Sequence, residues 1–375
     1  MESMSNNTTV DDISSDIGRM GISQDVDVSS RDDMNGHEEE MEESEKKYTS
    51  CEQKLDQIGV DASTNADIDM VSKEVESDVD VLDICANCGK EGATNTCNKC
   101  KSVKYCNAVC KKKHKTKHKK ACDRRVAELH DIELFKEPPS EEDCPICFLR
   151  LPTHETGRRY KTCCGKVICS GCIHAPIYDD QGHAMDNKIC AFCRTPTPTT
   201  DKEIVNRLMR RVDANDAKAM RMLGDFYYDG RFGLPQDHTK ALELYHRAAE
   251  LGDATAYSNI GVAYYNGQGV NKDKKKALHC YELAAMGGYI EARYRLGAFE
   301  EDAGNIDRAL RHYIISVEGG VHKSLKQIQK LYSNGHASKE EYVKALRAYQ
   351  KYLDEVKSSQ RDQAAAYSET YKYIV

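Results

Sequence analysis

Between residues 216 and 353, small and apolar residues return at fixed offsets, and the pattern repeats. DAKAMRMLGDFYYDGRFGLPQDHTKALELYHRAAELG is followed by DATAYSNIGVAYYNGQGVNKDKKKALHCYELAAMGG and then by YIEARYRLGAFEEDAGNIDRALRHYIISVEGG. Ala219, Ala256 and Ala292 correspond across the copies, as do Gly224, Gly261 and Gly297. Two further series are Ala241, Ala277, Ala309, Ala345 and Tyr245, Tyr281, Tyr313, Tyr349. The period is 36 or 37 residues and shortens to 32 in the third copy; a fourth, degenerate copy runs from Val321 to Leu353. Apolar residues three and four apart within each copy predict two helices. Ala219 with Gly224 and Ala241 with Ala248 let these helices approach closely, while tyrosine and leucine fill the gaps. Gly230, Gly252, Gly267 and Gly288 end them. One such hairpin cannot bury its own apolar face, so the copies are expected to stack into an all-α solenoid. DEVKSSQRDQAAAYSETYKYIV then covers the last face as a cap.

The chain before the repeats has a different character. Residues 1–83 hold 24 Asp and Glu against 6 Lys and Arg, a net charge of −18, with almost no aromatic residues. Such a segment buries too little apolar area to offset backbone ordering, at about 1 to 2 kcal/mol per residue, and is expected to be a disordered acidic tail. The whole chain carries −7, so the other 292 residues carry +11. DRRVAELHDIELF spaces its apolar positions for a helix through Phe135, which Pro138 and Pro139 end. RTPTPTTDK reads as an extended link, and Thr200 with Glu203 as a capping box for the next helix. The N-terminus shows no basic and apolar signal pattern, and no apolar run is long enough to span a bilayer, which points to the cytoplasm or the nucleus.

Disulfides are not expected in those compartments, so the seventeen cysteines need another use. Fifteen lie between Cys85 and Cys193; only Cys51 and Cys280 fall elsewhere. The first block runs Cys85, Cys88, Cys97, Cys100, Cys106, Cys110, His118, Cys122, enough donors for two tetrahedral zinc sites. A C-x2-C pair turns both thiolates of a tight knuckle towards one metal, and Cys106/Cys110 and His118/Cys122 stand one helical turn apart. The second block runs Cys144, Cys147, Cys163, Cys164, Cys169, Cys172, Cys190, Cys193. Its adjacent pair, Cys163 and Cys164, leaves His174 or His183 as alternatives to one of the two. If both cysteines bind, sixteen ligands serve four zinc ions with none left over.

With Tyr105 just before Cys106, residues 85–122 resemble the MYND zinc finger throughout. The resemblance implies an interleaved ligand set, with Cys85, Cys88, Cys106 and Cys110 on one zinc and Cys97, Cys100, His118 and Cys122 on the other. Structural zinc supplies on the order of 10 to 16 kcal/mol to units this small. MYND fingers mostly bind short proline-containing peptides. Here Lys111 replaces the glutamine usual after the sixth ligand and Lys115 the tryptophan expected four residues on, so an acidic peptide suits this surface better. Residues 144–193 resemble a RING domain whose usual histidine is cysteine. That resemblance implies cross-bracing, with Cys144, Cys147, Cys169 and Cys172 on one zinc and Cys163, Cys164, Cys190 and Cys193 on the other. It also implies contact with a ubiquitin-conjugating enzyme at Ile146, inside the first knuckle, and at Arg194, just after the last ligand; Ala191 stands where a proline is common. Residues 216–353 resemble Sel-one-like repeats, relatives of tetratricopeptide repeats, which implies an adaptor surface for other proteins.

The expected fold class is thus small zinc-stabilised MYND and RING-like domains followed by an all-α helical-repeat solenoid, behind a disordered acidic N-terminal tail. The expected boundaries are tail 1–83, MYND-type finger 84–122, helical linker 123–143, RING-like finger 144–194, linker with a leading helix 195–215, repeats 216–353 and C-terminal cap helix 354–375. Sites that already hold four protein ligands leave no open coordination position, so catalysis by the metal itself is not expected. The function read from this order is a zinc-binding, multidomain protein–protein interaction adaptor. Its RING-like domain recruits a ubiquitin-conjugating enzyme, while the MYND finger and repeats recruit partners or substrate. One alternative is an active RING-type E3 ubiquitin-protein ligase, acting without covalent catalysis. Another is a nucleic-acid-associated regulator using CKKKHKTKHKKAC, where each phosphate contact would add about 0.9 to the salt slope. The modest +11 of the body and the lack of stacking aromatics beside those lysines disfavour nucleic acid. No membrane partner is expected.

Overall fold

The computed structural model describes residues 83–139, 142–176 and 188–374. The segment expected to be a disordered tail lies outside the described residues up to position 82, as do Cys51 and His183. The chain divides after Ile132 into two compact units.

The first unit is built on a short antiparallel pair, β1 (Asn95–Thr96) and β2 (Lys104–Tyr105), followed by α1 (Ala108–Leu134). An ion pair between Lys104 and Asp83 ties the incoming chain to β2. Helix α1 has 27 residues and passes without a break through position 122, where a boundary between finger and linker was expected. No glycine or proline interrupts it, and lysine, alanine, leucine, glutamate and arginine are good helix formers. Its lysines repel one another at i,i+4 spacing, so the helix gains from being pinned at Cys110, His118 and Cys122.

The second unit holds the repeats. A leading helix, α3 (Asp201–Asp213), precedes the hairpins α4 (Ala217–Asp229) with α5 (His238–Glu250), α6 (Ala254–Asn266) with α7 (Lys274–Met286), and α8 (Ile290–Asp302) with α9 (Ile306–Glu318). A fourth hairpin joins α10 (His322–Ser333) and α11 (Lys339–Val356). Asp216, Asp237, Asp253 and Asp273 cap their helices by accepting backbone amides. In the third and fourth copies Tyr289, Asn305 and Val321 take the N-cap positions and make no side-chain cap. Thr200 caps α3 as expected, but the reciprocal bond of Glu203 goes to the amide of Thr199 rather than to that of Thr200. The small residues sit where the helices cross. A Cβ at Gly224 would lie 2.6 Å from Tyr245, one at Gly261 2.8 Å from Tyr281, and one at Gly297 2.5 Å from Tyr313. The tyrosine hydroxyls donate back to the facing helix, Tyr245 to Asp225 and Tyr313 to Glu301, both at 2.9 Å.

The end of α1 belongs to this unit too. Buried Arg293 donates to the Leu134 carbonyl and, at 3.3 Å, to that of Ala285. Phe135 lies under Arg311 at 3.7 Å and beside the His312 ring at 4.5 Å.

The second cysteine block forms a module from a hairpin, β3 (Arg158–Lys161) with β4 (Lys166–Cys169), and one turn of helix, α2 (Ser170–His174). It is fastened to the repeats at two separated places. Tyr160 donates to Asp216 at 2.6 Å and Lys218 pairs with Glu142 at 2.6 Å in the first copy. In the later copies, the Tyr352 hydroxyl accepts from the Thr153 amide at 2.9 Å, the Thr153 hydroxyl donates to the Gly319 carbonyl, and Arg150 pairs with Glu355 at 2.8 Å. A cavity of about 580 Å³ lies between module and repeats. Its deepest charges satisfy one another, Arg221 bridging Asp225 and Asp253. The C-terminal segment does more than cap. Tyr373 and Ile374 pack into the last core, but α12 (Ser359–Tyr367) lies on α2 of the cysteine module.

Candidate metal centres

Four C-x2-C knuckles share one backbone design. The residue after the second cysteine donates its amide to the carbonyl of the first: Gly89 to Cys85, Lys101 to Cys97, Phe148 to Cys144 and Arg194 to Cys190. To make that bond each takes a left-handed conformation, with φ of 73°, 55°, 56° and 62°. Glycine adopts it freely, whereas the other three side chains carry strain. Such a turn aims both thiols the same way. Gly165, φ 70°, closes a fifth turn on the Lys161 carbonyl, which places Cys163 and Cys164 in its third and fourth positions.

Sixteen side chains converge in four groups: Cys85, Cys88, Cys106, Cys110; Cys97, Cys100, His118, Cys122; Cys144, Cys147, Cys169, Cys172; and Cys163, Cys164, Cys190, Cys193. Within each group the donor atoms all lie within 4.8 Å of one another. A tetrahedral zinc with bonds of about 2.3 Å to sulfur separates its ligands by about 3.8 Å. The sulfur pairs match that spacing: Cys88 and Cys106 at 3.6 Å, Cys97 and Cys122 at 3.7 Å, Cys147 and Cys169 at 3.8 Å, Cys164 and Cys190 at 4.0 Å. In the second group Cys100 Sγ lies 3.2 Å from His118 Nε2. The pairing is interleaved in the first block and cross-braced in the second. Both members of the adjacent pair take part; His174 instead packs at a tilt against Tyr367 with ring centres 4.8 Å apart. His114 also stays outside the groups, its Nδ1 3.2 Å from the Tyr105 hydroxyl.

Clustered thiols resist ionising together. Burial would raise Cys85, but the backbone amides of Cys106, Asn87 and Cys88 outweigh it and bring the thiol down to about 6. A hydrogen bond with Cys110, together with burial, pushes Cys106 up to about 12. A divalent cation bound among such thiols would remove that conflict. Outer contacts steady the sulfurs: Asn87 Nδ2 donates to Cys110 at 3.4 Å, Ser102 to Cys100 at 3.1 Å, and the Thr195 hydroxyl lies 3.2 Å from Cys193. Sequence spacing gave no sign of these, since any polar residue in a turn reads alike.

Family models match this chain in two regions. Residues 85–122 match the MYND finger. Residues 217–253 and 254–289 each match the Sel1 repeat. Protein sel-1 homolog 2 of Rattus norvegicus is 30% identical over 139 residues, 36% of this chain and 20% of that protein. An ERAD-associated E3 ubiquitin-protein ligase component of Arabidopsis thaliana, HRD3B, is 30% identical over 103 residues, 27% of this chain and 16% of its own. The chain thus spans about a fifth or less of these relatives. A Sel1 repeat protein from Oxalobacter formigenes superposes with a TM-score of 0.38 at 24% identity, over 42% of this chain and 66% of that one.

The match implies that residues 85–122 bind zinc, and both the MYND finger and the Sel1 repeat are protein-interaction modules. Of the two finger lysines expected to meet a partner, Lys111 is otherwise engaged: its amine donates to the Thr96 carbonyl at 3.1 Å and to Asn98 at 2.7 Å. Lys115 is exposed, as are Lys112, Lys113, Lys117, Lys119 and Lys120, and none of the six has an ion-pair partner among the described residues. In the second module Ile146 is half-buried and Arg194 exposed. Two neighbours not picked out from the sequence stand further into solvent, Phe148 at 77% exposed and Phe192 at 43%.

Proposed function

We propose that the second cysteine module is a RING-like finger that receives a ubiquitin-conjugating enzyme, and that the MYND finger and repeats bring the partner or substrate to it. The observation that carries this reading is the pair of phenylalanines left in water on two metal-anchored knuckles. Burying aromatic surface in a soluble chain is worth about 1.5 to 3 kcal/mol per side chain, so exposed, rigidly held aromatics point to a partner. Phe148 and Phe192 flank the residues at which the RING resemblance places the enzyme, Ile146 and Arg194. All sixteen donors serve as ligands to four zinc ions, each closed by four donors, so the module acts by holding and orienting rather than by metal chemistry. Its cysteines stay available for metal in a reducing compartment, the cytoplasm or the nucleus.

An autoubiquitylation assay against a panel of conjugating enzymes tests this. The wild-type chain forms conjugates with at least one enzyme. Ile146→Ala, Phe148→Ala and Arg194→Ala each lower the rate, by roughly 30-fold where an aromatic hot spot worth about 2 kcal/mol is lost. Absence of conjugates with every enzyme would leave the adaptor role without the ligase.

The six unpaired lysines on α1 favour an acidic segment as the MYND finger's ligand. Binding of an acidic peptide that weakens as salt is raised, and that Lys115→Glu abolishes, supports this. Tighter binding to duplex DNA or RNA, with a slope of about 0.9 per phosphate contact, would favour the nucleic-acid alternative.

A further inference from the structure

Among the described residues, two arginines are buried without a carboxylate partner, Arg293 at 1% exposed and Arg361 at 0%. Arg293 answers to backbone carbonyls, and burial depresses its pKa to about 10. Arg361 shares its fork differently. Its Nη1 donates to the carbonyls of Val356 at 2.6 Å and Arg150 at 2.9 Å, while Nη2 reaches the Leu149 carbonyl at 3.4 Å and Cys147 Sγ at 3.8 Å. The residue is supplied by α12, 214 positions downstream of Cys147. Ser358 caps that helix by accepting the Arg361 amide. Gly171, between the ligands Cys169 and Cys172, makes room for it: a Cβ there would lie 2.8 Å from Arg361 N and 2.9 Å from its Cγ.

A buried guanidinium without an anion is costly, and one that faces an anion recovers part of that cost. A zinc ion held by four thiolates carries a net charge of −2 by ordinary valence, and here Cys144, Cys147, Cys169 and Cys172 form such a set. We propose that Arg361 is an outer part of this metal site: the C-terminal helix supplies the cation that holds the Cys147 thiolate and offsets the charge of the cluster. Zinc retention by the second module then depends on residues 358–373 as well as on the module's own ligands. The inference rests on the four-zinc reading of the chain.

The test follows zinc release from the full-length, zinc-loaded chain into a colorimetric chelator, with total zinc measured by mass spectrometry and folding by far-ultraviolet circular dichroism. Arg361→Met keeps the stem and removes the charge. It is expected to release one zinc of the four about 10- to 100-fold faster than wild type, the range for lost outer-shell partners, with the other three unchanged. Arg347→Met, an exposed change on α11, leaves all four as in wild type. Release from Arg361→Met matching wild type at every site overturns the proposal. If that variant does not fold, Arg361→Gln decides, since glutamine keeps an amide donor but removes the charge. One zinc released at least about threefold faster upholds the proposal, and an unchanged rate overturns it. A wild-type zinc count near two would instead overturn the four-zinc reading, so the two failures are distinguishable.

Discussion

Gly297→Ala probes the contact on which the repeats are built. The added Cβ would stand 2.5 Å from Cε1 and 2.7 Å from Cδ1 of Tyr313, where carbon atoms ordinarily rest about 3.5 to 4.0 Å apart. The ring must retreat by about 1 Å. It has little slack, being 1% exposed with its hydroxyl donating to Glu301 at 2.9 Å. Overpacking of this kind costs about 1 to 3 kcal/mol, loss of a hydrogen bond to a carboxylate adds about 1.5 to 3 if the ring moves away from Glu301, and the better helix propensity of alanine returns about 1. The expected net loss is about 2 kcal/mol. Urea unfolding followed by circular dichroism should show a lower midpoint with an unchanged slope. The decisive arm is the Tyr313→Leu background, where the obstructing ring is gone. There Gly297→Ala should stabilise by up to about 1 kcal/mol, a change of sign that a double-mutant cycle reads as coupling of about 2 to 3 kcal/mol. Equal destabilisation in both backgrounds, or stabilisation of the wild type, would refute the Gly–Tyr lock.

Mass spectrometry of the native chain should give close to four zinc ions, and chelation should unfold both cysteine modules, whose metal supplies on the order of 10 kcal/mol each. His312 gives a pH signature. Burial, then the charges of Arg293, Arg308 and Arg311, lower its pKa from 6.5 to about 3, with Glu282 opposing. Between those values the folded chain binds fewer protons at this site than the unfolded one, so stability is full above about 6.5 and is lost as pH falls. From about pH 7 to about pH 5.5 the wild type should lose about 1 kcal/mol more than His312→Leu, a difference from which shared zinc effects cancel; equal losses would show that His312 is solvated.

What could be read from the sequence was local. Ligand order and the C-x2-C knuckles lie within a few residues, so the sixteen donors could be picked out, whereas their four groupings were only implied by the MYND and RING resemblances and the use of both Cys163 and Cys164 stood open against His174 and His183. The repeat positions of glycine and tyrosine were legible because periodicity survives without knowledge of the third dimension. Contacts between distant segments were not. Nothing in RDQAAAY marks Arg361 as the partner of Cys147, and an arginine beside Asp362 looks like any surface pair. The bonds of Lys111 were hidden for a related reason: a lysine in a basic run reads as solvated, yet its amine donates to Thr96 and Asn98. The segment after Leu353 was read as a simple cap, because hydrophobic patterning shows that a face is covered but not by which neighbour.

Repeat arrays usually grow and shrink by gene duplication and loss, since each copy touches only the next. In this chain Tyr160 is bonded to Asp216 and, a short way back along the same strand of chain, Thr153 is bonded to Gly319 and Tyr352. The first and last copies are thereby measured against one fixed ruler. An inserted copy would displace one set of bonds by roughly the 8 to 10 Å between packed helices. Copy number is therefore frozen by geometry, and descendants of this protein are free to diversify their loops and exposed faces but not the length of the array.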